Sequence, residues 1–189
     1  MCHNHHTTTF KCRIEGTPRP QYRTFATTRA NNKKLKMINV SKPNTESFRK
    51  AFTEAMAKGN AKFVMDKSVT VHITIKMFFP RPKKHFVKHE VTESFHLSST
   101  APVHVTKTPD LDNCLKLVLD ALQGVVCSND SQVAQITATK LFDPTHKMWD
   151  AMTQTEGCTL IKVSQVNEAT TADNCKCPSC QQKLKHKSN

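Results

Sequence analysis

Residues 68–79, SVTVHITIKMFF, alternate apolar and polar side chains and are rich in β-branched residues. A period of two puts Val69, Val71, Ile73, Ile75 and Met77 on one face and Thr70, His72, Thr74 and Lys76 on the other. Such a segment is a strand with one face in a core, and it demands partners that bring more apolar surface to that face. FKCRIE (10–15), QVAQITATKLF (132–142) and CTLIKVSQV (158–166) alternate in the same way and supply further strands. Residues 44–58, NTESFRKAFTEAMAK, read as a helix capped by Asn44 or Thr45, with Phe48, Phe52, Ala55 and Met56 as its apolar stripe and Gly59 at its end. Residues 111–122 read as a second helix, broken at Gly124. The order strand, helix, strand, helix, strand, strand predicts an α+β fold: a small mixed β-sheet with helices on one face and one core from about residue 10 to 166.

Charge narrows the class of partner. The formal net charge is +13 over 189 residues, an excess that suits a polyanion such as DNA or RNA. One Trp and one Tyr against ten Phe argue against an RNA-binding sheet built on exposed stacking platforms. No apolar run approaches the length of a membrane span, and MCHNHHTTTFKC lacks the apolar core of a signal peptide. Eight scattered cysteines without a secretion signal fit a reducing, intracellular setting, be it cytoplasm, nucleus, an organelle or a virus-infected cell.

Against that background the acids of residues 108–132, TPDLDNCLKLVLDALQGVVCSNDSQ, stand out. Asp110 and Asp112 open the second helix two residues apart, where extended backbone directs both side chains the same way. Lys116 and Asp120 follow Asp112 at helical spacing on a charged flank, with Leu111, Leu115, Val118, Leu119 and Leu122 as the core-facing stripe beside it. A chain reversal after Gly124 would return Asp130 to the helix start. Three carboxylates meeting in a basic protein call for a cation between them, and Mg²⁺ needs only two or three such oxygens beside its waters. The alternative is ordinary helix capping and surface ion pairing by Asp110, Asp112, Lys116 and Asp120.

TPDLDNCLKLVLDAL…SNDSQV is similar to the signature of the RusA-type Holliday junction resolvases, a PDLDN-x-x-K-x-x-x-DAL segment followed by D-D-x-Q. GTPRPQYR, the strand ending FFPRP and a late strand bearing Lys140 occur in the family's order, so the resemblance covers roughly residues 10–165. It implies a RusA-like fold and a homodimeric, Mg²⁺- or Mn²⁺-dependent endonuclease that cuts four-way DNA junctions in recombination and repair. By position, Asp110 and Asp112 fall on the metal-binding aspartates, Asp130 on the third acidic catalytic residue and Lys116 on the lysine needed for cleavage. Asn113 and Asp120 match as supporting positions. Asn129 stands where the family has the first Asp of its D-D pair, which keeps open an alternative: a junction- or nucleic-acid-binding protein of the same fold that does not cut.

The basic segments are the expected phosphate contacts, with binding that weakens steeply as salt rises. They are Arg19, Arg23, Arg29, Lys33 and Lys34 in a first loop, Arg81, Lys83 and Lys84 in a second, and Lys107 beside the acids. Residues 1–9 are a polar, His-rich N-terminus expected to be unstructured, and residues 167–189 a polar, basic tail. Cys175, Cys177 and Cys180 in that tail include one C-x-x-C zinc half-site. A closed site needs a fourth ligand, from His186 or from Cys2, His3 or His5, and free thiols on a flexible tail are the simpler reading.

Overall fold

The computed structural model describes residues 8–22, 25–29, 32–38, 41–63, 65–91, 94–145, 148–149 and 156–167. Strand β1 (Thr8–Glu15) buries Phe10 and Ile14. It takes in Thr8 and Thr9, so the strand begins two residues before the alternation announces it. A hairpin, β2 (Phe25–Arg29) and β3 (Asn32–Ile38), occupies the segment expected to be a basic loop. Its β-branched and apolar residues give it strand propensity that the surrounding charge disguises.

Helix α1 (Lys42–Lys58) starts earlier than Asn44, with Ser41 at the N-cap and Pro43 in the first turn. A proline is tolerated there because the N–H it lacks would have no intrahelical partner. Phe52 is wholly buried, and its ring meets Phe10 edge to face at 5.8 Å, which joins α1 to β1.

Strand β4 (Val69–Phe79) keeps the predicted alternation, with Val69, Val71, Ile73, Ile75, Met77 and Phe79 all buried. The second basic loop contains two short strands, β5 (Phe86–Lys88) and β6 (Phe95–Leu97). Helix α2 (Leu111–Leu122) and a 3-10 turn (Asp130–Gln132) lead into β7 (Val133–Phe142), followed by β8 (Met148–Trp149) and β9 (Cys158–Asn167).

The main sheet runs β1-β9-β4-β7, with β4 and β7 parallel and the other pairs antiparallel. Parallel neighbours need a crossover, and α2 lies within it. This is the mixed sheet with two helices that the sequence predicts. A second sheet, β5-β6-β8, depends on the distant strand β8 and so leaves no local signature. Among the described residues, no helix is long and apolar enough to cross a membrane. Cys12, Cys114, Cys127 and Cys158 are free thiols, and the last three are buried.

His85 is 7 % exposed and packs edge-on against Phe142, with ring centroids 4.6 Å apart. Burial, then the nearby charges of Arg81 and Lys84, hold its imidazole below the usual 6.5. The neutral ring is the form the fold accepts. Its contribution is therefore full above about 6.5 and is lost as acidification protonates the unfolded chain first. Thermal melts between about pH 8 and about pH 5 should show His85→Leu losing less stability on acidification than the parent. Equal losses would mean that His85 is not the group responsible.

Candidate active site

Asp110 is the N-cap of α2, with φ −68° and ψ 146°, yet its side chain makes no capping hydrogen bond. Asp112 sits in the first turn, and both residues are exposed. No ion pair links Asp112, Lys116 or Asp120 among the described residues. Helix capping and local ion pairing therefore leave the carboxylates of Asp110 and Asp112 uncommitted.

The buried stripe of α2 differs from the expected one. Cys114, Leu117, Val118, Ala121 and Leu122 are buried, Leu115 and Leu119 only partly, and Leu111 is 37 % exposed. Smaller side chains at Cys114 and Ala121 let the helix lie close to α1 and the sheet on that face. The start of the charged flank stays in solvent, with Lys116 exposed one helical turn from Asp112, while Asp120 is half-buried.

Lys140 on β7 fixes where this acidic end sits. Its ammonium donates to the carbonyls of Lys107 (2.9 Å) and Pro109 (2.6 Å), the residues leading into Asp110. The same segment runs beside β7, with Val105 N–H donating to Lys140 O at 3.2 Å and Phe142 N–H to Val103 O at 2.9 Å. In the sequence Lys140 stands out only by its place in the family order. Its role depends on backbone carbonyls far away in the chain.

Gln21 is a second missed residue. Its N–H donates to Asn113 O at 2.9 Å, and its side-chain amide donates to Asp120 Oδ2 at 2.8 Å. The Asp120 carboxylate and the Asn113 carbonyl thus hold the segment Gly16–Tyr22. Arg49 of α1 donates to the carbonyls of Asp120 (2.6 Å) and Ala121 (3.1 Å). It supplies the positive charge that the last turn of α2 lacks. Between Gly16–Tyr22 and the start of α2 lies a cleft of about 700 Å³, lined by Arg19, Tyr22, Phe79, Pro109, Asp110 and Asn113.

Asp130 does not return to the helix start. The twelve residues of α2 span ~18 Å, and Asp130 follows beyond the far end. Gln132 pins that end: its amide donates to Asp66 O (2.7 Å) and Val69 O (3.1 Å), at the beginning of β4. Lys140 lies beside Met77, near the opposite end of β4. The electrostatics agree. Burial pushes the Cys114 thiol up to about 11, with Lys140 opposing the rise and Asp110 and Asp112 adding to it. Burial also raises Cys127, and there the added charge is Asp130. Among the described residues no three acids, histidines or cysteines gather into a metal site.

Asn129 has a task of its own. Its side-chain oxygen accepts from Ser131 N–H at 2.9 Å, while Gln132 Oε1 accepts from Asn129 N–H at 3.1 Å, a capping box. An amide oxygen caps as well as a carboxylate does, so Asn in place of Asp leaves the turn intact and Asp130 exposed.

The basic residues divide. Arg19, Lys83, Lys84 and Lys107 are exposed, with the Lys83 ammonium 4.8 Å from the Phe95 ring centre. Arg81 is not a surface cation. It is 5 % exposed, donates to Asp143 O (3.0 Å) and Pro102 O (2.9 Å), and lies over the Phe142 ring. Two backbone carbonyls, the first of them buried, are its partners. Arg23 and the cysteines of the tail, Cys175, Cys177 and Cys180, lie outside the described residues, as do Cys2, His3, His5 and His186.

No curated protein matches the chain. A family model described as endodeoxyribonuclease RusA matches residues 13–151, well over half of the 189 residues. That stretch holds both ends of α2 with Asp110, Asp112, Lys116 and Asp130, as well as Lys140 and the Gly16–Tyr22 segment. The chain belongs to the RusA family of endodeoxyribonucleases, enzymes of Holliday junctions.

Proposed function

We propose that this protein is a divalent-metal-dependent endonuclease that cuts four-way DNA junctions as a homodimer, in recombination and repair. The observation that carries the reading is the pair of uncommitted carboxylates, Asp110 and Asp112, held at an anchored helix start in a chain of this family. Their hard oxygen donors suit Mg²⁺ or Mn²⁺, which keep several waters and need few protein ligands. Asp130 of a second copy completes the set, because one chain holds its own Asp130 on the order of 20 Å away. The bound ion would activate a water and offset the charge that develops on the phosphodiester. The exposed ammonium of Lys116 lies on the same flank as Asp112 and would meet the charge of a leaving oxygen. Arg19, Lys83, Lys84 and Lys107 hold the arms by their phosphates. The turn-capping role of Asn129 supports cutting over mere binding, since the one departure from the family pattern falls on a structural position.

Asp110→Asn should lower Mg²⁺-dependent cleavage of a synthetic four-way junction by at least about a hundredfold while binding stays within a few-fold. Undiminished cleavage would remove Asp110 from the metal site. Equal cutting of plain duplex by the parent protein would remove the junction preference.

A further inference from the structure

The segment Gly16–Tyr22 is held at both ends and along its length. Gly16 N–H donates to Gly157 O at 3.1 Å, Gln21 is tied to Asn113 and Asp120, and Tyr22 N–H donates to Ser41 Oγ at 2.6 Å. Pro18 and Pro20 fix two more backbone angles. This rigid arm ends by exposing a large aromatic. Tyr22 is 58 % exposed, and no Phe or Trp among the described side chains is exposed. It stands in the wall of the cleft that also contains Asp110, with the exposed guanidinium of Arg19 on the same arm. The hydrophobic effect opposes leaving such a ring in water, yet the backbone that carries it is tied to Ser41, which fixes the Cα from which the ring projects.

The ligand that rewards this arrangement is a flat apolar face presented next to a phosphate. An intact duplex stacks its bases on one another and offers no such face along its length. A branch point does, wherever pairs that meet at the crossover come apart. Resting on the reading of the protein as a junction endonuclease, we propose that Tyr22 stacks on a base freed at the branch point and so sets the preference for branched over plain duplex DNA. Pre-ordering by the arm means that little freedom is lost on stacking, and Arg19 would take the flanking phosphate. Tyr22 is thus a specificity residue and takes no part in the chemistry.

The test measures binding of the full chain in EDTA, without cleavage, to a four-way junction and to a duplex of matching length. Tyr22→Ala should weaken junction binding by roughly 5- to 150-fold and duplex binding by no more than about twofold. Tyr22→Phe, which keeps the ring, should retain the junction affinity. A junction with abasic nucleotides at the branch point should weaken the parent and leave Tyr22→Ala no worse, because the two changes remove the same contact. Thermal melting of Tyr22→Ala should match the parent, as expected for an exposed ring. If Tyr22→Ala keeps the parent's junction preference, or loses junction and duplex binding equally, the stacking role is wrong although the nuclease reading stands. A parent protein with no preference for junctions overturns both.

Discussion

Mixing Asp110→Asn protein with Asp130→Asn protein restores cleavage that neither variant has alone. The expectation follows from lengths. Ligands of one Mg²⁺ each lie ~2.1 Å from the ion, so two carboxylates sharing it are only a few ångströms apart. Asp110 is tied through Lys140 to the part of β7 beside Met77, whereas Asp130 precedes Val133, which lies beside Val71. Those seven residues of strand cover ~23 Å. No rotamer change spans that gap. In a two-fold dimer the same surface serves both copies, so each Asp110–Asp112 pair would meet the other copy's Asp130 and two equal sites result. In a mixed dimer one site carries both substitutions and the other carries none. After subunit exchange half of the dimers are mixed, so about a quarter of the sites are intact. Each mixed dimer should nick one strand, visible on a denaturing gel, without the paired cuts that resolve a junction. A mixture as inactive as its components would mean that all the ligands come from one chain, or that Asp130 is not among them.

That geometry marks the boundary of what the sequence could say. The alternation of β4 is local, and every expected inward residue from Val69 to Met77 is buried. The α+β order was equally local, since each main strand and helix carries its own period. What depended on distant neighbours was not legible. Arg81 in a Pro-rich basic stretch looks solvated until Asp143, Pro102 and Phe142 close over it. The buried face of α2 takes in Cys114, Leu117 and Ala121 beside the expected Val118 and Leu122, and leaves Leu111 exposed, because neighbouring elements decide which flank is covered. The acids themselves were readable as a motif. Their separation was not, because motif spacing counts residues along the chain and says nothing about which end of a helix a later residue reaches. Asn129 looked like a fault in the motif, and only its bond to Ser131 identifies it as a cap.

Lys140 tests whether holding Asp110 in place matters as much as its carboxylate. Lys140→Met keeps the aliphatic stem and removes both hydrogen bonds to the carbonyls of Lys107 and Pro109. One partly buried acceptor, Pro109 O, and one exposed acceptor, Lys107 O, then lose a charged donor, a change costing about 1–3 kcal/mol. The loss falls on the segment that positions Asp110. A displacement of ~1 Å at a reacting centre is enough for a hundredfold loss of rate. Cleavage should therefore fall roughly 10- to 100-fold, the range typical of groups that orient metal ligands, while junction binding in EDTA stays within about threefold. The separating measurement is a Mg²⁺ titration. If Lys140 positions a ligand, the half-saturating metal concentration rises and excess Mg²⁺ recovers part of the rate. If its ammonium instead contacts the reacting phosphate, the maximum rate drops at every metal concentration and excess metal recovers nothing. A variant that cuts at the parent's rate throughout the titration would show that the 103–109 segment holds Asp110 through its pairing with β7 alone.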